Sequence, residues 1–336
     1  MFKIRENGKF GFMNAHGKVV IEPQYVAVDD FRNGFARVRL NDKPVPLDSL
    51  GRLLLRHVFN FVGTFEEELA RVQVVHHWGY IDPRGVLAIE SGFGAAGDFR
   101  DGMAPVELDG TWGYIDPAGR WLLGPQWDEA RTFSEGLAVA KSDGQFGYLN
   151  RQGEWIIEPR YERAGNFQGD VAVVGSETHW GLVDRKGNER IAPIFDRQND
   201  PEHGTFSEGL AVMNQSDHYG FVNVRGEIAL TPRFEYAENF SNERALVRRG
   251  EGFGFINKAG ETVIEPTFTD ADGFTENLAL FSPDNERYGF VNAEGETVIE
   301  PQFDEVDPFR DGLARFTQDG AWGYVNRFGE VIWREK

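Results

Sequence analysis

Trp112-Gly113-Tyr114-Ile115-Asp116-Pro117-Ala118-Gly119 decides the fold, because the chain keeps returning to it. An aromatic-Gly pair, with Asp or Asn four residues after the aromatic and Gly seven after it, recurs at Phe10, Trp78, Trp112, Phe146, Trp180, Tyr219, Phe253, Tyr288 and Trp322. The same frame places one more copy at position 44, where Pro44 stands instead of an aromatic. Successive copies are 34, 34, 34, 34, 34, 39, 34, 35 and 34 residues apart. A period this regular along the whole chain marks stacked supersecondary units.

Working outward from that stretch, the Asp or Asn and the Gly three residues later have the chemistry of a type I turn, and Pro83 and Pro117 fill a position where a fixed φ helps. All ten copies comply, from Asn14 and Gly17 to Asn326 and Gly329. The glycine supplies a positive φ, so two strands fold back as a hairpin. Before the turn, positions such as Tyr114 and Ile115 are both apolar, the pattern of a strand buried on both faces. The glycine beside the aromatic, as in Gly113, implies close approach, and a ring from the next unit is expected over it. A second strand follows, as in Trp155-Ile156-Ile157, and a Glu-Pro pair such as Glu158-Pro159 is expected to end its ladder. A linker aromatic (Tyr161), a Phe (Phe167) and then an Ala opening a third strand (Ala172) complete the unit.

These signals give an all-β tandem array of ten three-stranded units of about 34 residues, residues 1–336 forming a single array. The pattern breaks at three places: the second unit lacks its aromatic-Gly pair, the sixth carries five extra residues within 197–205, and the eighth has one extra near Ser282–Arg287.

The Trp-Gly pair, the W-G-Y-I-D run with its turn glycine, and the tails Phe133-Ser134-Glu135-Gly136-Leu137-Ala138 and Phe206-Ser207-Glu208-Gly209-Leu210-Ala211 resemble the bacterial WG-repeat family over essentially the whole chain. The resemblance implies a β-propeller-like array with a binding role, and it brings no catalytic residues. Because usual propellers hold four to eight blades, an open twisted β-repeat solenoid is the alternative for ten units.

The net charge of −19 disfavours nucleic acid and anionic membrane surfaces as partners and suits a basic protein. There is no cysteine, so neither a disulfide frame nor a thiolate metal site is available. The first residues lack a signal-peptide core and no apolar run has bilayer length, so a cytoplasmic location is expected.

The search for chemistry returns structural accounts. The carboxylate pairs Asp128-Glu129 and Asp304-Glu305 sit at one repeat position, whereas a catalytic pair would occur once. The Asp/Asn column resembles a set of Ca²⁺ ligands, but Asn fills half of it and serves a turn equally well. His77, His179 and His218 share a register in units too far apart to share one ion. No P-loop, nucleophile elbow or helix-linked dinucleotide fingerprint occurs. Trp121 and Trp155, with Trp127 nearby, have a spacing that could stack on sugar rings, though such rings more often fill cores.

The expectation is therefore a non-enzymatic scaffold with no cofactor and no metal, binding a macromolecular partner, most simply a basic protein in the manner of an inhibitor or immunity protein. The alternative is a lectin-like glycan or small-ligand binder with sites repeated between units. The expected contact is the insertion, through Asp200, Glu202 and His203, with His179 nearby.

Overall fold

In one representative repeat, Ala138–Ser142, Gln145–Leu149 and Trp155–Tyr161 form an antiparallel sheet, and Glu129–Ala130 adds a short strand at its edge. The computed structural model describes residues 1–31, 34–40, 43–53, 59–196 and 205–335. Among these it contains ten small antiparallel sheets in tandem and no helix. The chain divides into two compact units: Met1–Asn14, Val19–Glu177 and Val183–Glu189 form the first, and Ala15–Lys18, Thr178–Leu182 and Arg190–Lys336 the second.

The middle strand of each repeat is buried on both faces, as its sequence requires. Tyr114, Ile115, Tyr148 and Leu149 in the first unit, and Phe255 and Ile256 in the second, are fully buried. The first ring of each pair lies against the linker Phe nineteen residues on: Tyr114 on Phe133 at 4.9 Å, Tyr148 on Phe167 at 4.8 Å and Phe255 on Phe274 at 4.8 Å. Each buried ring contributes roughly 2–3 kcal/mol of apolar transfer. The tyrosines also donate to backbone, Tyr114 Oη to Arg131 O and Tyr148 Oη to Gly165 O, both at 2.8 Å, and burial pushes both phenols well above their ordinary range.

The core lies between consecutive sheets. Val139, Phe146, Tyr148 and Ile157 pack against Ala164, Phe167, Ala172 and Val174 in the first unit. Leu246, Phe255 and Ile264 pack against Phe274, Ala279, Phe281 and Val291 in the second. The alanine column is buried throughout, from Ala36 to Ala314.

The turn is as the sequence prescribes. All ten turn glycines have φ between 75° and 87°. Asp116 Oδ1 accepts the N–H groups of Ala118 and Arg120, both at 2.9 Å, and Gly119 N–H donates to Asp116 O. Asn257 Oδ1 does the same for Ala259 and Glu261, both at 3.0 Å. Occupied by backbone donors, the Asp/Asn column is turn chemistry.

The Ser-Glu-Gly tail forms a second tight turn, closed by the Ser134–Leu137 bridge, with Glu135 at φ 51° and Gly136 at φ 83°. Its carboxylate fastens neighbouring repeats: Glu135 accepts Gly169 N–H at 3.1 Å, Glu208 accepts Glu243 N–H at 3.0 Å and Glu276 accepts Gly312 N–H at 3.0 Å.

Three expectations need correction. No ring from the next unit covers Gly113. A Cβ there would lie 2.6 Å from Leu123 O and 2.8 Å from Pro125 N, so the outgoing strand of its own hairpin excludes any side chain. The proline does not end the ladder either. Trp155–Tyr161 runs through Pro159, and the pairing shifts from Tyr148↔Ile157 to Phe146↔Tyr161. That bulge removes proline, which has no N–H, from the ladder and presses backbone onto the glycine. Lastly, most sheets have four strands, because a two-residue linker segment such as Glu129–Ala130 pairs with Lys141 and Ala140.

Candidate partner-binding surface

Of the four residues expected at the contact, Asp200, Glu202 and His203 lie outside the described residues. His179 opens the strand His179–Asp184 and is exposed, with Nδ1 3.0 Å from Thr178 Oγ1. Its Nε2 stands 3.6 Å from Asp196 Oδ1, at the residue where the insertion departs. Asp196 Oδ2 accepts Ser216 N–H at 3.0 Å, and Ser216 O lies 3.0 Å from His218 Nδ1. Ser216 and Asp217 form their tight turn at φ 53° and 62° without glycine. This part of the second unit thus joins His179, Asp196 and His218 in one exposed polar network, which becomes an ion pair at His179 when that imidazole is protonated.

Asp196 belongs to a recurring column whose carboxylates cap hairpin turns. Asp128 accepts Gly144 N–H at 3.2 Å, Glu235 accepts Gly250 N–H at 3.1 Å and Asp304 accepts Asp319 N–H at 2.7 Å. The pairs Asp128-Glu129 and Asp304-Glu305 owe their recurrence to this duty. Among the described residues, no group of three or more His, Asp or Glu could hold a metal ion.

The charge distribution was not anticipated. Residues 251–300 hold eleven carboxylates and two cations, a balance of −9 within a total of −19. Glu261, Glu265, Asp284, Glu286, Glu294, Glu296 and Glu300 are all exposed. A residue count by repeat, rather than along the whole chain, would have found it.

Local pairing explains part of this concentration. In the second unit the turn residue is Asn and its partner four residues on is Glu: Asn223 Nδ2 donates to Glu227 at 2.9 Å, Asn257 to Glu261 at 2.8 Å, Asn292 to Glu296 at 2.9 Å and Asn326 to Glu330 at 2.7 Å. In the first unit Asp48 Oδ2 accepts Arg52 Nε at 2.6 Å and Asp116 Oδ2 accepts Arg120 Nε at 2.8 Å. Those Asp carboxyls lie below the usual range. At Asp116 the Arg120 N–H is the main cause. At Asp48 burial is the largest single influence and pushes upward, but the hydrogen bonds from Arg52 and Leu50 together outweigh it.

The three tryptophans singled out by spacing lie in different environments. Trp127 is buried against Tyr114 at 5.8 Å, Trp155 packs on the core beside it, and half-exposed Trp121 meets Phe93 edge-on at 6.1 Å.

The fold and the turn chemistry together define a β-repeat scaffold. The model of the WG containing repeat matches residues 10–43, 47–74, 78–112, 112–145, 146–175, 180–217, 219–251, 253–285 and 288–320, and the chain belongs to this WG-repeat family. Comparison with curated protein sequences gives no match. Among solved structures, a eukaryotic initiation factor is similar at 7% identity and a TM-score of 0.53, over 90% of this chain and 96% of that one. This likeness is one of fold, and the architecture is β-propeller-like. The dihydro-heme d1 dehydrogenase NirN matches at 11% identity and a TM-score of 0.42, over 90% of this chain and 72% of that one. BamB from Moraxella catarrhalis matches at 13% and 0.36, over 72% and 87%. At those scores neither likeness bears on fold or function. No helix among the described residues is long and apolar enough to cross a membrane.

Proposed function

We propose that this chain is a non-catalytic scaffold of the cytoplasm that binds a basic protein, through the exposed carboxylates of residues 251–300 in its second unit, through the insertion after Asp196 and through His179. The concentration of exposed carboxylates in residues 251–300 supports this most directly. Opposite charge speeds encounter and disfavours wrong partners, and the effect is screened by salt. Asp200 and Glu202 add carboxylates on the longest interruption of the repeat, a segment other linkers fold without. Masking a basic toxin in the manner of an inhibitor or immunity protein is one form this binding takes.

The test is capture from a native extract at several salt concentrations, with the parent chain and with a variant lacking five loop residues and carrying Asp200→Ala and Glu202→Ala. A captured basic protein that is released by salt and lost from the variant, at unchanged thermal stability, supports the proposal. Capture indifferent to both salt and loop overturns it.

A further inference from the structure

A cleft of about 510 Å³ opens in the first unit, around the repeat that has lost its aromatic-Gly pair. Lys3, Arg37 and Arg71 all line it. They stand 34 residues apart, at one repeat position on three successive repeats. At most other repeats that position is apolar, buried at Pro105, Val139, Val212 and Leu246 and half-buried at Val173 and Leu280, and only the last repeat again has a cation there, the exposed Arg315. Three adjacent repeats therefore carry around one cleft a cation where most other repeats carry an apolar side chain, in a chain whose net charge is −19.

Each cation is held from one side. Arg71 is 3.0 Å from Asp98, donates to Ala96 O at 3.0 Å, and lies over the rings of Phe61 and Trp78 at 5.5 and 5.6 Å. Gly63 makes room for it, since a Cβ there would come within 2.9 Å of Arg71 Cγ. Lys3 is 3.6 Å from Asp30 and 5.9 Å from the centre of the Phe10 ring. Arg37 donates through Nε to Asp29, and the described residues offer its Nη groups no hydrogen bond. Position 44, where the ring of that repeat belongs, is proline.

Half-exposed ion pairs stabilise little, typically below about 1 kcal/mol, whereas burying an aliphatic side chain contributes about 1.5–3 kcal/mol. Three such cations around one cavity are therefore poor stabilisers of the fold and good contacts for a ligand. Two arginine forks and an ammonium suit a tetrahedral oxyanion. Asp29, Asp30 and the Thr64 hydroxyl, which also line the cleft, suit ligand hydroxyls. We propose that this cleft binds a small polyhydroxylated organic phosphate, its phosphate held by Lys3, Arg37 and Arg71 and its hydroxyls by the two aspartates.

Isothermal titration of the full chain with glucose 6-phosphate, glucose and inorganic phosphate tests this. The sugar phosphate is expected to bind saturably at one site per chain, with glucose and inorganic phosphate each at least about tenfold weaker. Arg37→Val and Arg71→Val install a residue that other repeats carry at this position, and each should weaken binding about tenfold or more. Where Arg71→Val fails to fold, Arg37→Val decides. Arg315→Val, at the same position in the second unit, should leave affinity unchanged. Absence of saturable binding at millimolar sugar phosphate, or affinity unchanged in the two valine variants, overturns the proposal. Equal affinity for inorganic phosphate overturns the role given to the hydroxyls.

Discussion

The hairpin turns of the two units close the same geometry with opposite chemistry. At Asp116 a carboxylate accepts from Arg120, and at Asn257 an amide donates to Glu261. In both, Oδ1 takes the same two backbone N–H groups, so the backbone does not distinguish them. Only the outer atom, Oδ2 or Nδ2, changes role, and its partner changes with it. The Asp–Arg pair is neutral and the Asn–Glu pair carries one negative charge. The first unit has one Asn–Glu turn of its own, Asn150 with Glu154, and the second has four. Backbone constraint fixes what the two units share, and the pairing accounts for part of how they differ in charge.

The largest effect should come from what is shared. Gly113→Ala and Gly254→Ala each place a Cβ against backbone, 2.6 Å from Leu123 O and 2.5 Å from Ile264 O. Each should cost about 2–3 kcal/mol in urea denaturation, and similarly in the two units, because backbone cannot step aside. A large difference between them would break the equivalence of the repeats.

Next in size is the turn glycine. Gly119→Val should cost about 1 kcal/mol or more, since φ is 77° and the new Cβ would meet Ile89 Cγ2 at 3.2 Å. A denaturation midpoint equal to that of the parent would contradict the turn assignment.

The pairing itself is smaller. Asp48→Asn sets an amide against Arg52, and Arg52→Glu sets a carboxylate against Asp48. Each single change should destabilise, while the double change Asp48→Asn with Arg52→Glu rebuilds the turn of the second unit. A coupling energy near 0.5 kcal/mol in a double-mutant cycle is expected, and strict additivity would sink the idea.

The smallest effect is one of pH. Asp48, Asp82 and Asp116 have carboxyls lowered in the folded chain. Their stabilisation is complete above the ordinary aspartate value of about 3.9 and is lost as pH falls through the lowered folded values. Replacing all three with Asn should narrow the gap between denaturation midpoints measured near neutrality and in acid. An unchanged gap would show that these turns do not contribute to acid sensitivity.

Interactions close in sequence were the legible ones. Asp116, Gly119 and the apolar pair Tyr114-Ile115 act within one hairpin, so their spacing announces the turn and the buried strand. Gly113 was assigned to the wrong neighbour because what excludes its side chain is a bulge ten residues on, made by pairing that shifts register at Pro125. Ala95–Ala96 is too short for a strand period to show. Of the contact residues, His179 opens a strand and is exposed, and its tie to Asp196 depends on folding and not on spacing. Lys3, Arg37 and Arg71 were in plain view, yet they emerge only when charge is followed down a repeat column rather than along the chain.

The turn pairs also bear on how such a chain can change over generations. Arrays of near-identical segments lengthen, shorten and exchange copies by recombination between misaligned repeats. A contact reaching from one repeat to the next can be separated by such an event. Asp116 with Arg120, or Asn257 with Glu261, spans only four residues, so donor and acceptor are inherited together. Surface charge can therefore be reshuffled one repeat at a time, each exchanged segment arriving with its own partner already in place.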